Sequence, residues 1–310
     1  MAEDFWYPSC GEGKLHGICW RPEGEPAAVV QIVHGIADFA ERYQDFAQYL
    51  TERGFLVVAE DHMGHGQSVE GGSIQGYFHG GWFAAVEDTY RLLQGTRQAF
   101  PGIPYILFGH SMGSFMTRTI LCKYPDSGIR AAVLCGTGWM PDALLPGAEK
   151  MVDLICKQGK ETLPNPGLEK LVFGNYNARV EHPRTEFDWV SRDKKQVDAY
   201  IAHPRCGFTP TAGLMRELIR GVRYIQNGKH LKAMKKELPV LFIAGGDDPV
   251  GNYGKGVRHA AEAFRKAGVQ DVTVKIYPLD RHEILNEINR SEVFEDAFRW
   301  MESKIGETVE

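Results

Sequence analysis

Short apolar runs alternate along the chain with longer stretches in which apolar residues recur at helical spacing. Most of these runs lack charged residues, which is typical of strands buried on both faces of a parallel sheet. The predicted strands are 27–33, 55–59, 105–108, 130–135, 239–244 and 271–277, after a hairpin within 5–20. The predicted helices are 39–53, 82–100, 111–122, 254–267 and 291–304. This alternation predicts the α/β class, with a mostly parallel central sheet and helices on both faces.

The stretch from residue 138 to residue 236 breaks the alternation. It contains several prolines and two amphipathic helical patterns, over 144–155 and 214–225, and has no run typical of a buried strand. Because it lies between two predicted core strands, it leaves the sheet and returns to it. We therefore expect residues 1–137 and 237–310 to form the α/β core and residues 138–236 to form an inserted helical cap, or lid.

A glycine–X–serine–X–glycine motif, from Gly109 to Gly113, joins a predicted strand to the helix that follows it. At such a turn the serine hydroxyl is raised above the carboxyl edge of the sheet. Glycines on both sides avoid collisions with the neighbouring strand and helix, and the tight turn is expected to strain the backbone of Ser111. The motif alone is weak evidence, but its position between a strand and a helix predicts a nucleophile.

A serine nucleophile needs a base within hydrogen-bonding reach and an acid that orients the base. The last predicted strand is followed by His282, and the strand before it is followed by Asp247 and Asp248. Serine, acid and histidine then reach one edge of the sheet in chain order. The residues alone leave the choice between the two adjacent aspartates open. Asp280 is also near His282 in sequence, but we expect it in a solvated loop.

Two backbone N–H groups are the candidate donors to the oxyanion that attack by Ser111 would create. One belongs to Met112, the residue after the predicted nucleophile. The other is expected from the loop after the strand at 27–33, where Ile36 is the best candidate. Gly35 permits a close approach of this loop, and His34 is expected to shape it through hydrogen bonds. One such donor is typically worth ~3 kcal/mol of transition-state stabilisation.

Composition and charge exclude several other classes of protein. The chain has 310 residues, 43% of them hydrophobic, and a formal net charge of −5, so it has no basic field for nucleic acid or an anionic membrane. No apolar stretch reaches the ~20 residues of a membrane-spanning helix, and no secretory signal is expected. Its six cysteines form no Cys-x-x-Cys pair and are expected to pack as small hydrophobic residues. We expect a soluble cytoplasmic protein without metal or cofactor; nothing indicates its oligomeric state.

Five short motifs are spread from about residue 10 to residue 300. They are His34-Gly35 with Glu41-Arg42-Tyr43, Asp61 to Ser68, Gly109 to Gly113, Gly245 to Val250, and Arg281-His282-Glu283. As a set they resemble the α/β-hydrolase superfamily, and within it the monoacylglycerol lipase and lysophospholipase-like branch grouped with the serine aminopeptidase-type hydrolases. The resemblance implies the α/β-hydrolase fold and places the acid at Asp248 rather than at Asp247.

The resemblance further implies a serine ester hydrolase that works through an acyl-enzyme, with Ser111 as nucleophile and His282 as base. An apolar lid indicates a small-molecule substrate with a lipophilic acyl chain, such as a monoacylglycerol or a lysophospholipid. The predicted substrate-binding residues are Gly35, Trp139, Met140, Leu144 and Phe173. Packing within the lid is an equally good explanation of the apolar ones.

Two other functions stay open on the sequence. An aminopeptidase or amidase would use the same three catalytic residues and would hold a substrate ammonium with acidic groups in the cap. Glu181, Glu186 and Asp188 lie there, but a solvated face explains them better. A non-catalytic ligand-binding protein would keep only the pocket, and the complete set of nucleophile, base and acid argues against it.

Overall fold

An eight-stranded sheet forms the centre of the molecule. The computed structural model describes residues 2–306, so Met1 and residues 307–310 of the predicted core lie outside the described residues. The strands are β1 (Ala2–Pro8), β2 (Lys14–Trp20), β3 (Ala28–Val33), β4 (Phe55–Glu60), β5 (Tyr105–His110), β6 (Ala131–Cys135), β7 (Val240–Gly245) and β8 (Val272–Tyr277). Their spatial order is β1-β2-β4-β3-β5-β6-β7-β8. Only the pairings of β2 with β1 and with β4 are antiparallel among these strands, which confirms the mostly parallel sheet.

Helices cover both faces of the sheet. The α-helices of residues 2–306 are α1 (Gln44–Thr51), α2 (Trp82–Ala99), α3 (Met112–Lys123), α4 (Leu145–Ile155), α5 (Pro166–Phe173), α6 (Lys194–Ala202), α7 (Ala212–Gln226), α8 (Gly228–Ala233), α9 (Lys255–Lys266) and α10 (Arg290–Ile305). Neighbouring residues of β3 belong to separate apolar clusters, because successive side chains of a strand point to opposite faces. Val30 belongs to the cluster that contains residues of α1 and α10, whereas Val29 belongs to the cluster that contains residues of α2, α3 and α9. The predicted α/β class is confirmed.

The loops after β7 and β8 pack backbone against backbone at the carboxyl edge of the sheet. A Cβ atom at Gly245 would lie 2.1 Å from the carbonyl oxygen of Asp280, and one at Gly246 would lie 2.3 Å from that of Pro278. Only glycine permits this approach. The two glycines therefore bring the aspartates after β7 next to the histidine after β8.

Residues 138–236, which we call the helical insertion, connect β6 to β7 and carry α4 to α8. Both helical patterns predicted in this stretch are present, as α4 and α7. The insertion packs directly on the core: a Cβ at Gly221 would lie 2.3 Å from the ring of Trp82, and Glu217 Oε2 accepts a hydrogen bond from the Trp82 N–H (3.0 Å). Its position relative to the sheet edge is thus set by direct contacts with α2.

The helix predicted over 39–53 is divided in the structure. Residues Ala40–Tyr43 form a 3-10 turn, and the α-helix begins only at Gln44. The Ala40 N–H donates to Asp61 Oδ1 (2.8 Å), so the first turn is fixed by the loop after β4 rather than by helical hydrogen bonds alone. Within residues 2–306, no helix is both long and apolar enough to cross a membrane.

Candidate active site

Ser111 occupies a strained turn between β5 and α3. Its backbone has φ 52° and ψ −121°, outside the regions that non-glycine residues normally adopt. The flanking glycines are required by space, because a Cβ at Gly113 would lie 1.9 Å from the carbonyl oxygen of Val33 and one at Gly109 would lie 2.4 Å from Thr117 Oγ1. The Ser111 N–H is held by the carbonyl of Cys135 (2.9 Å). The sequence motif therefore forms the turn expected of it.

The structure brings together Ser111, His282 and Asp248. His282 Nε2 lies 2.8 Å from Ser111 Oγ, and His282 Nδ1 lies 3.0 Å from Asp248 Oδ1. Asp248 is fully buried, and its Oδ1 also accepts from the N–H of Val250 (2.8 Å). Asp247 does not join this chain of hydrogen bonds; its N–H donates to the carbonyl of Asp280 (2.9 Å). The arrangement suits proton transfer from a serine hydroxyl to an imidazole oriented by a carboxylate.

Burial and charge act in opposite directions on the His282 imidazole. Burial lowers its pKa, but the charge and hydrogen bond of Asp248 outweigh burial, so the pKa is raised above its ordinary value of 6.5. The neighbouring His110 ring lies 4.9 Å from His282, and burial together with the charge of His282 lowers the pKa of His110 to about 4. Of these two imidazoles, His282 is therefore the one suited to gain a proton during the reaction.

The raised pKa of His282 sets the expected acid limb of activity. Only the neutral imidazole accepts a proton from Ser111, and a raised pKa keeps it protonated up to a higher pH. We expect kcat/KM for a soluble ester to fall on acidification with a midpoint above 6.5, by about tenfold per pH unit below it. A pH–rate profile at constant ionic strength measures this limb. A midpoint clearly below 6.5 would contradict the assigned electrostatics.

The loop after β3 lies against the serine. A Cβ at Gly35 would lie 3.1 Å from Ser111 Cβ, so a larger residue there would require a small shift of the loop or of the serine. His34 fixes the loop as predicted: its Nδ1 donates to the carbonyl of Gly35 (2.7 Å) and its Nε2 accepts from the N–H of His62 (3.0 Å). Burial and the nearby histidines lower the pKa of His34 well below its ordinary value, so the neutral ring fits both roles. Within residues 2–306, no protein group accepts the N–H of Ile36 or that of Met112.

A charged network that the sequence analysis assigned no role joins this loop to the loop of His282. Arg42 Nη1 donates to Asp38 Oδ1 (2.8 Å). The Arg42 guanidinium also forms a bidentate pair of hydrogen bonds with the two carboxylate oxygens of Glu283 (2.7 and 2.6 Å). Asp38 also accepts from the hydroxyl of Tyr43 (2.8 Å). Burial opposes ionisation of Asp38, but the Arg42 charge holds its pKa well below its ordinary value. The motifs at 41–43 and 281–283 contain Arg42 and Glu283, but nothing in the sequence indicates that these residues pair, because they lie far apart in the chain.

A cavity of about 530 Å³ opens above Ser111. All five residues predicted to bind substrate lie on its wall, together with Ile36 and Met112. Most of the wall is apolar and is supplied by the helical insertion, whose Leu144 is 62% exposed. A second cavity of about 410 Å³ shares Ile36, Phe173 and Trp189 with the first and also has Glu169 and Lys170 on its wall. That these residues contact substrate stays a prediction.

A family model described as serine aminopeptidase, S33 (Hydrolase_4), matches residues 24–289. The chain belongs to the S33 serine aminopeptidase family. Among relatives of this S33 protein, a monoacylglycerol lipase from Mycolicibacterium smegmatis is 31% identical over 292 residues, covering 92% of each chain. The human monoglyceride lipase is 26% identical over 293 residues, covering 92% of this chain and 86% of the human one. These likenesses confirm the predicted branch of the superfamily.

Solved structures agree with the fold of the S33 protein. A thermostable carboxyl esterase from Bacillus coagulans superimposes with a TM-score of 0.91 at 28% identity, covering 98% of this chain and 99% of the other. The predicted α/β-hydrolase fold is confirmed. The chain is a serine ester hydrolase, and the aminopeptidase alternative is not favoured, since the relatives and this neighbour are described as lipases and an esterase.

Two acidic residues of the S33 protein lie in surroundings that the sequence analysis did not predict. Asp280 was expected in a solvated loop but is 2% exposed and pairs with Arg192. Asp188 was expected on a solvated face but is buried, where its carboxylate accepts from the N–H of Arg184 and from the hydroxyl of Thr185. Its carboxylate is buried and hydrogen-bonded within its own turn, which disfavours it as a site for a substrate ammonium. Glu181 and Glu186 are exposed as expected.

Proposed function

We propose that this serine ester hydrolase cleaves carboxylic esters of lipophilic acyl groups, of the monoacylglycerol or lysophospholipid type, through an acyl-enzyme on Ser111. The main support is that Ser111 Oγ lies 2.8 Å from His282 Nε2 and that Ser111 lines a cavity with mainly apolar walls. A nucleophile paired with its base serves any acyl transfer. The apolar cavity is what favours a lipophilic acyl group.

In the proposed reaction, His282 takes the hydroxyl proton as Ser111 attacks the ester carbonyl. His282 then gives this proton to the leaving alcohol, and the acyl group stays on the serine. Water repeats the sequence and releases the carboxylic acid. Asp248 holds Nδ1 of His282, which keeps Nε2 directed at the serine and stabilises the imidazolium.

The N–H groups of Ile36 and Met112 are proposed to hold the oxyanion. Both belong to backbone next to Ser111, and neither is used by another protein group within the described residues. Met112 is also the first residue of α3, where helix N–H groups and the helix dipole favour negative charge. Each donor is expected to contribute ~3 kcal/mol to the transition state.

We further propose that residues 138–236 act as a cap over a core formed by residues 1–137 and 237–310. Trp139, Met140, Leu144 and Phe173 from this insertion line the main cavity, as Gly35 does from the core, and these five are the proposed substrate-binding residues. The relatives described as monoacylglycerol and monoglyceride lipases support an acyl glycerol as substrate. The related carboxyl esterase structure contains glycerol, which agrees with a small polar alcohol as the other product.

A substrate panel tests the proposal. We expect p-nitrophenyl esters to be hydrolysed at least about 100-fold faster than aminoacyl-p-nitroanilides. Among the esters, kcat/KM should rise from acetate to octanoate, because each methylene buried in the cavity is worth up to ~0.8 kcal/mol, or about fourfold. Monoacylglycerols should be cleaved with release of free fatty acid. Faster anilide turnover, or ester rates that fall steadily from acetate onward, would contradict the proposal.

A further inference from the structure

The loop that carries His282 is paired with a segment of the helical insertion, residues 188–192, which we call the strap. The His282 N–H donates to the carbonyl of Trp189 (3.3 Å), and the Glu283 N–H donates to the carbonyl of Val190 (2.8 Å). The Trp189 ring also lies 5.2 Å from the His282 ring. The backbone and the imidazole of His282 are therefore both in contact with the strap, although the two segments are far apart in sequence.

Arg192 connects the strap to both ends of the same loop. Its Nε and its backbone N–H donate to the two carboxylate oxygens of Glu287 (3.0 and 2.9 Å), and Glu287 is fully buried. Its Nη2 donates to Asp280 and to Asn289 (2.8 Å). Asp280 precedes His282 and Glu287 follows it, so one guanidinium fixes the loop on either side of the imidazole.

The loop in turn holds the strap. Arg281 Nη1 donates to the carbonyl of Ser191 (3.0 Å) and to that of Asp188 (2.5 Å). The Ser191 hydroxyl donates to the carbonyl of Asn286 (2.9 Å). Each of the two segments therefore donates hydrogen bonds to carbonyl groups of the other.

The charges in this cluster depend on Arg192. Burial and the neighbouring Glu287 raise the pKa of Asp280 to about 6, which reflects the cost of two carboxylates in one buried place. The Arg192 charge lowers that pKa, so without the guanidinium Asp280 is expected to bind a proton, and the two ends of the loop lose the hydrogen-bond donor that they share. Because a misplacement of ~1 Å costs about 100-fold in rate, even a small shift of the loop would be visible in catalysis.

We propose that the strap positions His282 for catalysis and that Arg192 is the positioning residue in it. The inference rests on the proposed function, because it takes His282 to be the base. The helical insertion then has two roles: its apolar helices line the acyl cavity, and the strap holds the base in line with Ser111.

The test compares Arg192→Met and Arg192→Lys with a matched variant, Arg216→Met. Arg216 is a partly buried arginine of the same insertion, with an exposed fraction of 16% against 25% for Arg192. It pairs with Glu161 and Glu217 rather than with the loop of His282. The measurements are kcat and KM for a soluble p-nitrophenyl ester, and the second-order rate of inactivation by a fluorophosphonate.

Arg192→Met should lower kcat and the inactivation rate together by about 10- to 100-fold, with KM within about twofold of the parent value. Arg192→Lys should recover part of the loss, because the ammonium can still pair with Glu287. Arg216→Met should stay within about twofold in all three quantities. The inference would be overturned if Arg192→Met kept the parental kcat, or if its loss of kcat were no larger than that of Arg216→Met.

If Arg192→Met fails to fold, Arg192→Lys and Ser191→Ala carry the test. Ser191→Ala removes the hydroxyl that donates to the carbonyl of Asn286 and accepts from the N–H of Asp193, and it leaves every charged contact of the cluster in place. Both should fold and lose kcat without a matching change in KM, and parental kcat in both would overturn the inference. An active Ser111→Ala variant would instead refute the proposed function, so the two failures are distinguishable.

Discussion

Ser111→Ala is expected to lower kcat for ester hydrolysis by about 10⁴- to 10⁶-fold, because the catalytic residues act as a unit and the change removes the atom that would carry the acyl group. The fold should survive. Alanine retains the Cβ atom, and the strained turn is set by the glycines at 109 and 113 and by the Ser111 N–H bond to Cys135. Steady-state kinetics measure the loss of kcat, and a thermal unfolding curve shows whether the fold is retained.

Ser303→Ala is the matched control for this experiment. The Ser303 hydroxyl donates to the carbonyl of Trp300 on the exposed side of α10 and has no contact with the cavity. It should keep parental kcat within about twofold. Turnover by Ser111→Ala within about tenfold of the parent, in a preparation free of other esterases, would refute the assignment of the nucleophile.

Asp248→Asn is expected to lower kcat by about 10³-fold or more. The change removes the negative charge that stabilises the imidazolium of His282. In the parent, Asp248 Oδ1 accepts hydrogen bonds from His282 Nδ1–H and from the N–H of Val250, in a fully buried place that an amide would have to occupy. Without the Asp248 charge, the pKa of His282 should fall, so the acid limb of the residual activity should move to lower pH. A pH–rate profile of the variant measures both effects.

Asp247→Asn provides the control, since the residues alone did not distinguish the two adjacent aspartates. Among residues 2–306, the Asp247 side chain forms no hydrogen bond with His282, and the Asp247 N–H donates to the carbonyl of Asp280. Its kcat and its acid limb should match the parent. A larger loss of kcat in Asp247→Asn than in Asp248→Asn would reverse the assignment of the acid.

Strands β3 to β7 were predictable because they are buried on both faces and so stand out as apolar runs, whereas β1 and β8 at the two edges of the sheet are partly exposed. In a parallel sheet, the residues after successive strands share an edge. The Gly-X-Ser-X-Gly motif after one strand therefore identified Ser111, and the position after the last strand identified His282. The acid was harder. Adjacent residues of a turn point in different directions, and the choice of Asp248 came from the resemblance to a family rather than from the residues.

The charged contacts that hold the site were not predictable from the sequence. Arg42 and Glu283 are 241 positions apart, and Arg192 and Asp280 are 88 apart. Neither pair has a local pattern, because each forms only when separate segments meet. Asp280 was placed in solvent for this reason: a loop aspartate without a visible partner is normally exposed.

Covalent labelling tests the central claim most directly. The parent protein is treated with a fluorophosphonate, digested, and examined by mass spectrometry, with Ser111→Ala treated in parallel. The account predicts one adduct per chain, on Ser111, together with loss of ester hydrolysis in proportion to labelling and no adduct in the variant. An adduct on another residue, or complete inactivation without modification of Ser111, would contradict it.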